Sequence, residues 1–122
     1  MKHKGRILVI DDEPAILEVI KIVLDEEGYE VQTTTDARSA LKLTAPLPDI
    51  ILLDVLLSGK DGRVIGKRLK SQKNTMHIPI IMLSALSTDG KTITQDMADT
   101  FIKKPFDIDV LVDTVKKYIK KS

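Results

Sequence analysis

Apolar positions along the chain fall into two alternating kinds of segment. Short runs that are apolar at nearly every position occupy residues 7–10, 50–53 and 80–83. Such runs predict strands buried on both faces, as in a parallel sheet. Residues 31–35 and 100–103 are less uniformly apolar and predict edge strands. Between these runs the apolar residues recur at helical spacing. Ile16, Val19, Ile20, Val23 and Leu24 predict one buried stripe of a first helix, with Pro14 in its first turn and Gly28 at its exit. Ile108, Leu111, Val112, Val115 and Ile119 repeat the pattern near the C-terminus, where Asp107 is the expected N-cap. Shorter helices are predicted around residues 37–43 and 63–71, the latter entered through the Asp61-Gly62 turn. In residues 88–97, Gly90, Thr92 and Thr94 are poor helix formers and only Ile93 and Met97 offer a buried face. A short or irregular fourth helix is expected there.

A strand–helix unit repeated about five times predicts an α/β fold, a doubly wound parallel sheet with helices on both faces. The length of 122 residues fits one domain spanning 1–122, without repeats or linkers.

Composition narrows the partners. There is no cysteine, which excludes a disulfide scaffold and a thiolate metal site. Lysine plus arginine number 19 against 18 acids, and a net charge of +1 gives no reason to expect nucleic acid or steady membrane attachment. Lys116, Lys117, Lys120 and Lys121 cluster where cations complement a terminal helix dipole, a solvated helix end. His3 and His77 read as surface residues. The apolar run after the basic start stops at Asp11, too short for a signal peptide. The longest apolar stretch, residues 50–57, is interrupted by Asp54 and falls short of a membrane span. A soluble, cytoplasmic protein is expected.

In an open α/β sheet, ligands bind outside the carboxyl ends of the strands, where strand order reverses. The first strand ends in Asp11-Asp12-Glu13, the third in Asp54, the fourth in Ser84-Ala85 and the fifth in Lys103-Lys104-Pro105. Two carboxylates about 4 Å apart repel by roughly 4 kcal/mol at an effective dielectric near 20. Three together call for a hard dication, and Mg2+ pairs one or two carboxylates with waters and phosphate oxygens. An Asp beside such an ion can attack phosphorus and form an aspartyl phosphate. A lysine and a hydroxyl suit the phosphate oxygens. Taken singly, each residue has an ordinary reading: Asp54 as a strand-ending turn residue, Asp11-Asp12-Glu13-Pro14 as a helix start, Ser84 as a loop residue, Lys104 as a surface charge, Phe101 as core. Four separate segments converging on one edge favour the chemical reading.

With these residues in this order, the chain resembles the receiver domain of two-component response regulators over essentially its whole length. The markers are Asp11-Asp12, Asp54 at the end of residues 49–54, Asp61-Gly62, Ser84-Ala85 and Lys104-Pro105-Phe106. The resemblance implies a flavodoxin-like strand order 2-1-3-4-5. It implies phosphorylation at Asp54, with Asp11, Asp12, Asp54 and the backbone carbonyl of Leu56 organising Mg2+. Ser84 would hydrogen-bond the phosphoryl group and Lys104 would pair with it. Phe101 would swing from exposed to buried with Ser84, remodelling the face of the fourth helix, fifth strand and fifth helix, a population shift. The Lys104–Pro105 bond would often be cis. The implied partners are a histidine kinase or phosphotransfer protein and a downstream protein target. The implied assembly is a monomer or a weak phosphorylation-dependent dimer, catalysing only its own phosphorylation and dephosphorylation.

The chain departs from the family in three places. Ser58 stands where proline is common, Met97 where glycine often precedes the fifth strand, and the stretch from Ser84 to Lys104 is about two residues short. Leu56 and Leu86 flank the site with apolar side chains, so slow self-dephosphorylation is expected. Two alternatives stay open: a receiver-shaped binding module that is never phosphorylated, and an enzyme on the same fold, a Mg2+ phosphohydrolase or a flavin binder. Neither enzyme suits Asp11-Asp12-Glu13, which lacks the Asp-x-Asp spacing and would repel a flavin phosphate. The Met1 start and lysine-rich finish favour a stand-alone chain over a fragment.

Overall fold

The computed structural model describes residues 4–57, 60–85 and 93–119. Five parallel strands form the sheet: β1 (Arg6–Ile10), β2 (Glu30–Thr34), β3 (Ile50–Asp54), β6 (Ile80–Ser84) and β7 (Thr100–Lys103). Two further two-residue strands, β4 (Leu56–Leu57) and β5 (Lys60–Asp61), pair with each other outside it. The sheet order β2-β1-β3-β6-β7 is the expected 2-1-3-4-5 order once that small pair is set aside.

Strand periodicity divides the core in two. Ile7, Val9, Ile50, Leu52, Ile81, Leu83 and Ile102 face α1 (Pro14–Glu26) and α3 (Ile108–Tyr118). Their neighbours Leu8, Ile10, Ile51, Leu53, Ile80 and Met82 face α2 (Gly62–Ser71) and a 3-10 helix at Ala37–Lys42. Successive side chains point to opposite faces, so a run that is apolar throughout feeds both layers at once. Strands β3 and β6 are buried at every position.

The helices differ in detail from their periodic patterns. In α1 the fully buried line is Leu17, Ile20 and Leu24, while Val19 is 48% exposed. In α3, Leu111, Val112 and Val115 are buried, as is Ile119 just past its end, but Ile108 is 45% exposed. A helix lying on a sheet buries a narrower line than its apolar residues alone suggest. Residues 37–42 form a 3-10 helix: Asp36 caps the Arg38 N–H, Leu43 turns extended, and Pro46 and Pro48 follow, so the helix cannot lengthen. Gly28 leaves α1 at φ 96°, the left-handed conformation glycine adopts without cost. Residues 88–92 of the expected fourth helix lie outside the described residues. Its remainder is a turn, in which Thr94 O accepts from Met97 N and Ala98 N. The Lys104–Pro105 bond is cis, and so is Ala45–Pro46. Among the described residues no helix is long and apolar enough to cross a membrane.

Candidate functional site

Parallel pairing brings the carboxyl ends of β1, β3, β6 and β7 to one edge. Asp11 follows β1, Asp54 closes β3, Ser84 closes β6, and Lys104 follows β7. The ends are tied to one another: Val55 N donates to Leu83 O at 2.9 Å and Lys104 N to Ser84 O at 2.6 Å. One ligand oxygen each from Asp11, Asp12 and Asp54 lies within 4.8 Å of the others. Asp11 and Asp54 are buried and Asp12 is half-buried.

Lys104 reaches into this cluster. Its Nζ donates to Asp11 Oδ2 at 2.9 Å and lies 3.3 Å from Asp54 Oδ1. Glu13, on the rim, is 3.9 Å from the same nitrogen. Burial opposes the Lys104 charge, but the hydrogen bond and attraction of Asp11, with Asp54 behind it, hold its pKa above the usual lysine value. The Asp54 pKa is raised as well, which for a carboxyl disfavours the charged form. Burial, and then the Asp11 charge, raise its carboxyl to about 6, against the opposing pull of Lys104 and the Leu56 N–H. A buried carboxylate pair held by one ammonium remains short of positive charge.

The small β4–β5 pair decides where Leu56 points. Gly62 N donates to Val55 O at 2.7 Å, and Leu56 stands opposite Asp61 in the next position of the ladder. Hydrogen-bonded and non-bonded pairs alternate in an antiparallel ladder, so Leu56 occupies a non-bonded pair. Its N–H and C=O both face away from β5. The N–H donates to the Asp54 carboxylate, and the carbonyl points along the same side of the strand. The three clustered carboxylates offer oxygen donors alone, with no nitrogen or sulfur among them, a set that fits a hard cation such as Mg2+.

Ser84 is buried at its expected place beside Lys103 of β7. Phe101 is half-buried against the α2-side core, with Ile93 and Met97. Leu56, two residues past Asp54, is 53% exposed; Ser58 and Leu86 lie outside the described residues. Sequence reasoning missed the β4–β5 pair and the brace that holds it. Asp61 caps α2 by accepting from Arg63 N at 2.9 Å, and it takes a fork from Arg63 Nε at 3.0 Å and NH2 at 2.7 Å. The available signal was Ser58-Gly59, a turn-forming dipeptide between two short segments able to pair.

A doubly wound sheet with an acidic, lysine-bridged pocket at the carboxyl ends of its strands places this chain among the open α/β domains that bind ligands at that edge. Within that class, the chain belongs to the response regulator receiver domain family, whose family model matches residues 7–116. It is 36% identical over 120 residues to the DNA-binding dual master transcriptional regulator RpaA of Synechocystis sp., covering 96% of this chain and 50% of that protein. It is 42% identical over 106 residues to the response regulator PleD of Caulobacter vibrioides, covering 84% of this chain and 23% of that protein. The chain thus spans half or less of the length of these relatives. Among solved structures, the response regulator TrrA of Thermotoga maritima, in complex with Mg2+-BeF, superposes with a TM-score of 0.80 at 35% identity, covering 93% of this chain and 98% of that one.

Proposed function

We propose that this chain is a phosphorylation-dependent signalling receiver that accepts a phosphoryl group on Asp54. The observation that carries the reading is the arrangement of Asp54 with Asp11, Asp12 and Lys104 around one pocket. Asp11, Asp12, Asp54 and the Leu56 carbonyl would hold Mg2+. When bound, the ion supplies positive charge that lowers the repulsion between Asp54 and an incoming phosphoryl group.

An Asp54 carboxylate oxygen forms a bond to phosphorus as the N–P bond of a phosphohistidine donor breaks. The imidazole leaves with the electron pair and takes a proton from solvent. The transition state is loose, so positioning and charge neutralisation supply most of the acceleration. Lys104, already 3.3 Å from Asp54 Oδ1, is placed to pair with a phosphoryl oxygen. The Ser84 hydroxyl donates to a second oxygen, and its movement lets Phe101 repack toward the core. That repacking changes the surface of β7 and α3 offered to a downstream protein. The partners are then a histidine kinase or phosphotransfer protein and that target, in the cytoplasm, with the chain a monomer or weak dimer. The domain turns over no substrate beyond its own phosphoryl group, and its near-neutral charge offers nucleic acid no general attraction.

The test is intact mass after incubation with acetyl phosphate and Mg2+, beside Asp54→Asn and an EDTA control. One phosphoryl group gained only by the wild type with Mg2+ is the expected result. A folded, Mg2+-binding protein that gains none would instead be a constitutive binding module.

A further inference from the structure

Helix α2 and its flanks hold a charge that the rest of the chain does not share. Between residues 60 and 74, the six bases Lys60, Arg63, Lys67, Arg68, Lys70 and Lys73 stand against one acid, Asp61. That local charge of +5, in a chain of net +1, leaves the remaining residues at −4. Not all of these bases are available. Lys70 is used within the fold, donating to Ile78 O at 2.9 Å and pairing with Asp99 at 2.7 Å. Arg63 forks Asp61. Lys67 reaches Asp96 only at 3.8 Å, with both side chains more than half exposed, a pair worth little. Arg68 has no ion pair among the described residues.

Val64 precedes Lys67 and Arg68 by three and four positions, so the three share a helix face. Val64 is 57% exposed. A cavity of about 370 Å³ opens beside it, lined by Asp61, Arg63, Val64, Lys67, Arg68 and Met97. Its two walls are in firm contact: a Cβ on Gly66 would stand 2.3 Å from the Met97 carbonyl oxygen. The result is a seam between α2 and the turn at Met97, with an apolar floor and a basic rim.

We infer that this seam docks an acidic segment of a partner protein, with one apolar side chain on Val64 and Met97 and carboxylates at Lys67 and Arg68. Charge complementarity selects the sign of the partner. The apolar floor selects a protein over a bare polyanion. Asp61 and Asp96, interleaved among the bases, would repel the evenly spaced phosphates of a nucleic acid. One exposed valine is too little apolar surface to lodge a helix in a lipid interface. The inference does not depend on phosphoryl chemistry at Asp54.

The test is selection from a displayed library of random dodecapeptides on the whole chain, with the Lys67→Glu/Arg68→Glu double variant as counter-target. Matching far-UV circular dichroism and cooperative thermal melting of both proteins serve as the check that each is folded. The expected consensus is an apolar residue flanked by Asp or Glu. A synthetic peptide of that consensus should bind about tenfold or more weakly to the double variant and to Val64→Asp. The inference is overturned if no peptide is enriched over the double variant, or if the enriched peptides lack acids. It is overturned equally if a twenty-residue oligothymidylate, or phosphatidylserine vesicles, bind the wild type with the same dependence on Lys67 and Arg68 and without Val64.

Discussion

Gly62 and Asp54 meet backbone to backbone. A Cβ on Gly62 would stand 2.0 Å from the Asp54 carbonyl oxygen and 2.9 Å from its carbonyl carbon. The Gly62 N–H donates to Val55 O at 2.7 Å. Helix α2 therefore begins directly against the strand end that presents the candidate acceptor. The contact is between main chains, so no rotamer change can relieve an added methyl.

Gly62→Ala should accordingly displace either the α2 start or the Asp54 carbonyl. Overpacking of this kind costs about 1–3 kcal/mol, and its effect on chemistry should exceed its effect on stability. We expect a chemical-denaturation midpoint that is lowered but still cooperative, with acetyl phosphate uptake down about tenfold or more. A variant that phosphorylates at the wild-type rate would show that the close approach does not position Asp54.

Lys104 competes for the same oxygens that would hold a cation, because its Nζ is 2.9 Å from Asp11 Oδ2. Lys104→Met removes that competitor and also the group placed to neutralise a phosphoryl oxygen. The two consequences have opposite signs. Calorimetry should find Mg2+ bound several-fold more tightly, while phosphoryl uptake measured by intact mass falls about tenfold or more. Loss of Mg2+ affinity in this variant would mean that Lys104 organises the cation site instead.

Asp54 gives the metal-free protein a pH dependence of calculable sign. Its carboxyl is raised to about 6, first by burial and then by Asp11. A carboxyl raised above its unfolded value favours the fold while protonated; that contribution is complete below about pH 4 and lost as pH rises through about 6. Asp54→Asn has no charge to bury. In EDTA it should be more stable than wild type at pH 7.5, by an amount on the order of 1–3 kcal/mol. The gap should close toward pH 5, and melting curves across that range would show it. A gap independent of pH would place the difference in packing.

Legibility in the sequence followed the physics of each feature. Strands β3 and β6 were readable because a strand buried on both faces must be apolar throughout, and no other short segment has that need. The acids, Ser84 and Lys104 were readable because the topology of a parallel sheet brings strand ends together without reference to side-chain detail. Val19 and Ile108 were misplaced because periodicity identifies an apolar face but not how much of it the sheet covers. The β4–β5 pair, the Asp61–Arg63 fork and the Gly62–Asp54 contact depend on how α2 docks. No local pattern encodes that docking.

Leu56 sets the remaining expectation, the lifetime of the phosphoryl group. Hydrolysis of an aspartyl phosphate needs a water in line with the bond to Asp54, held by a group that can accept its proton or orient it. Leu56, two residues past Asp54, is 53% exposed and its side chain offers only carbon. Its backbone is already engaged, with the N–H on the Asp54 carboxylate. Phosphorylated wild type, freed of acetyl phosphate, should therefore decay over minutes to hours with Mg2+ present. Leu56→Asn keeps the backbone contacts and adds an amide able to orient water, so decay should quicken several-fold with Mg2+ affinity unchanged. A wild-type half-life of seconds would show that the attacking water is positioned without help from this side chain.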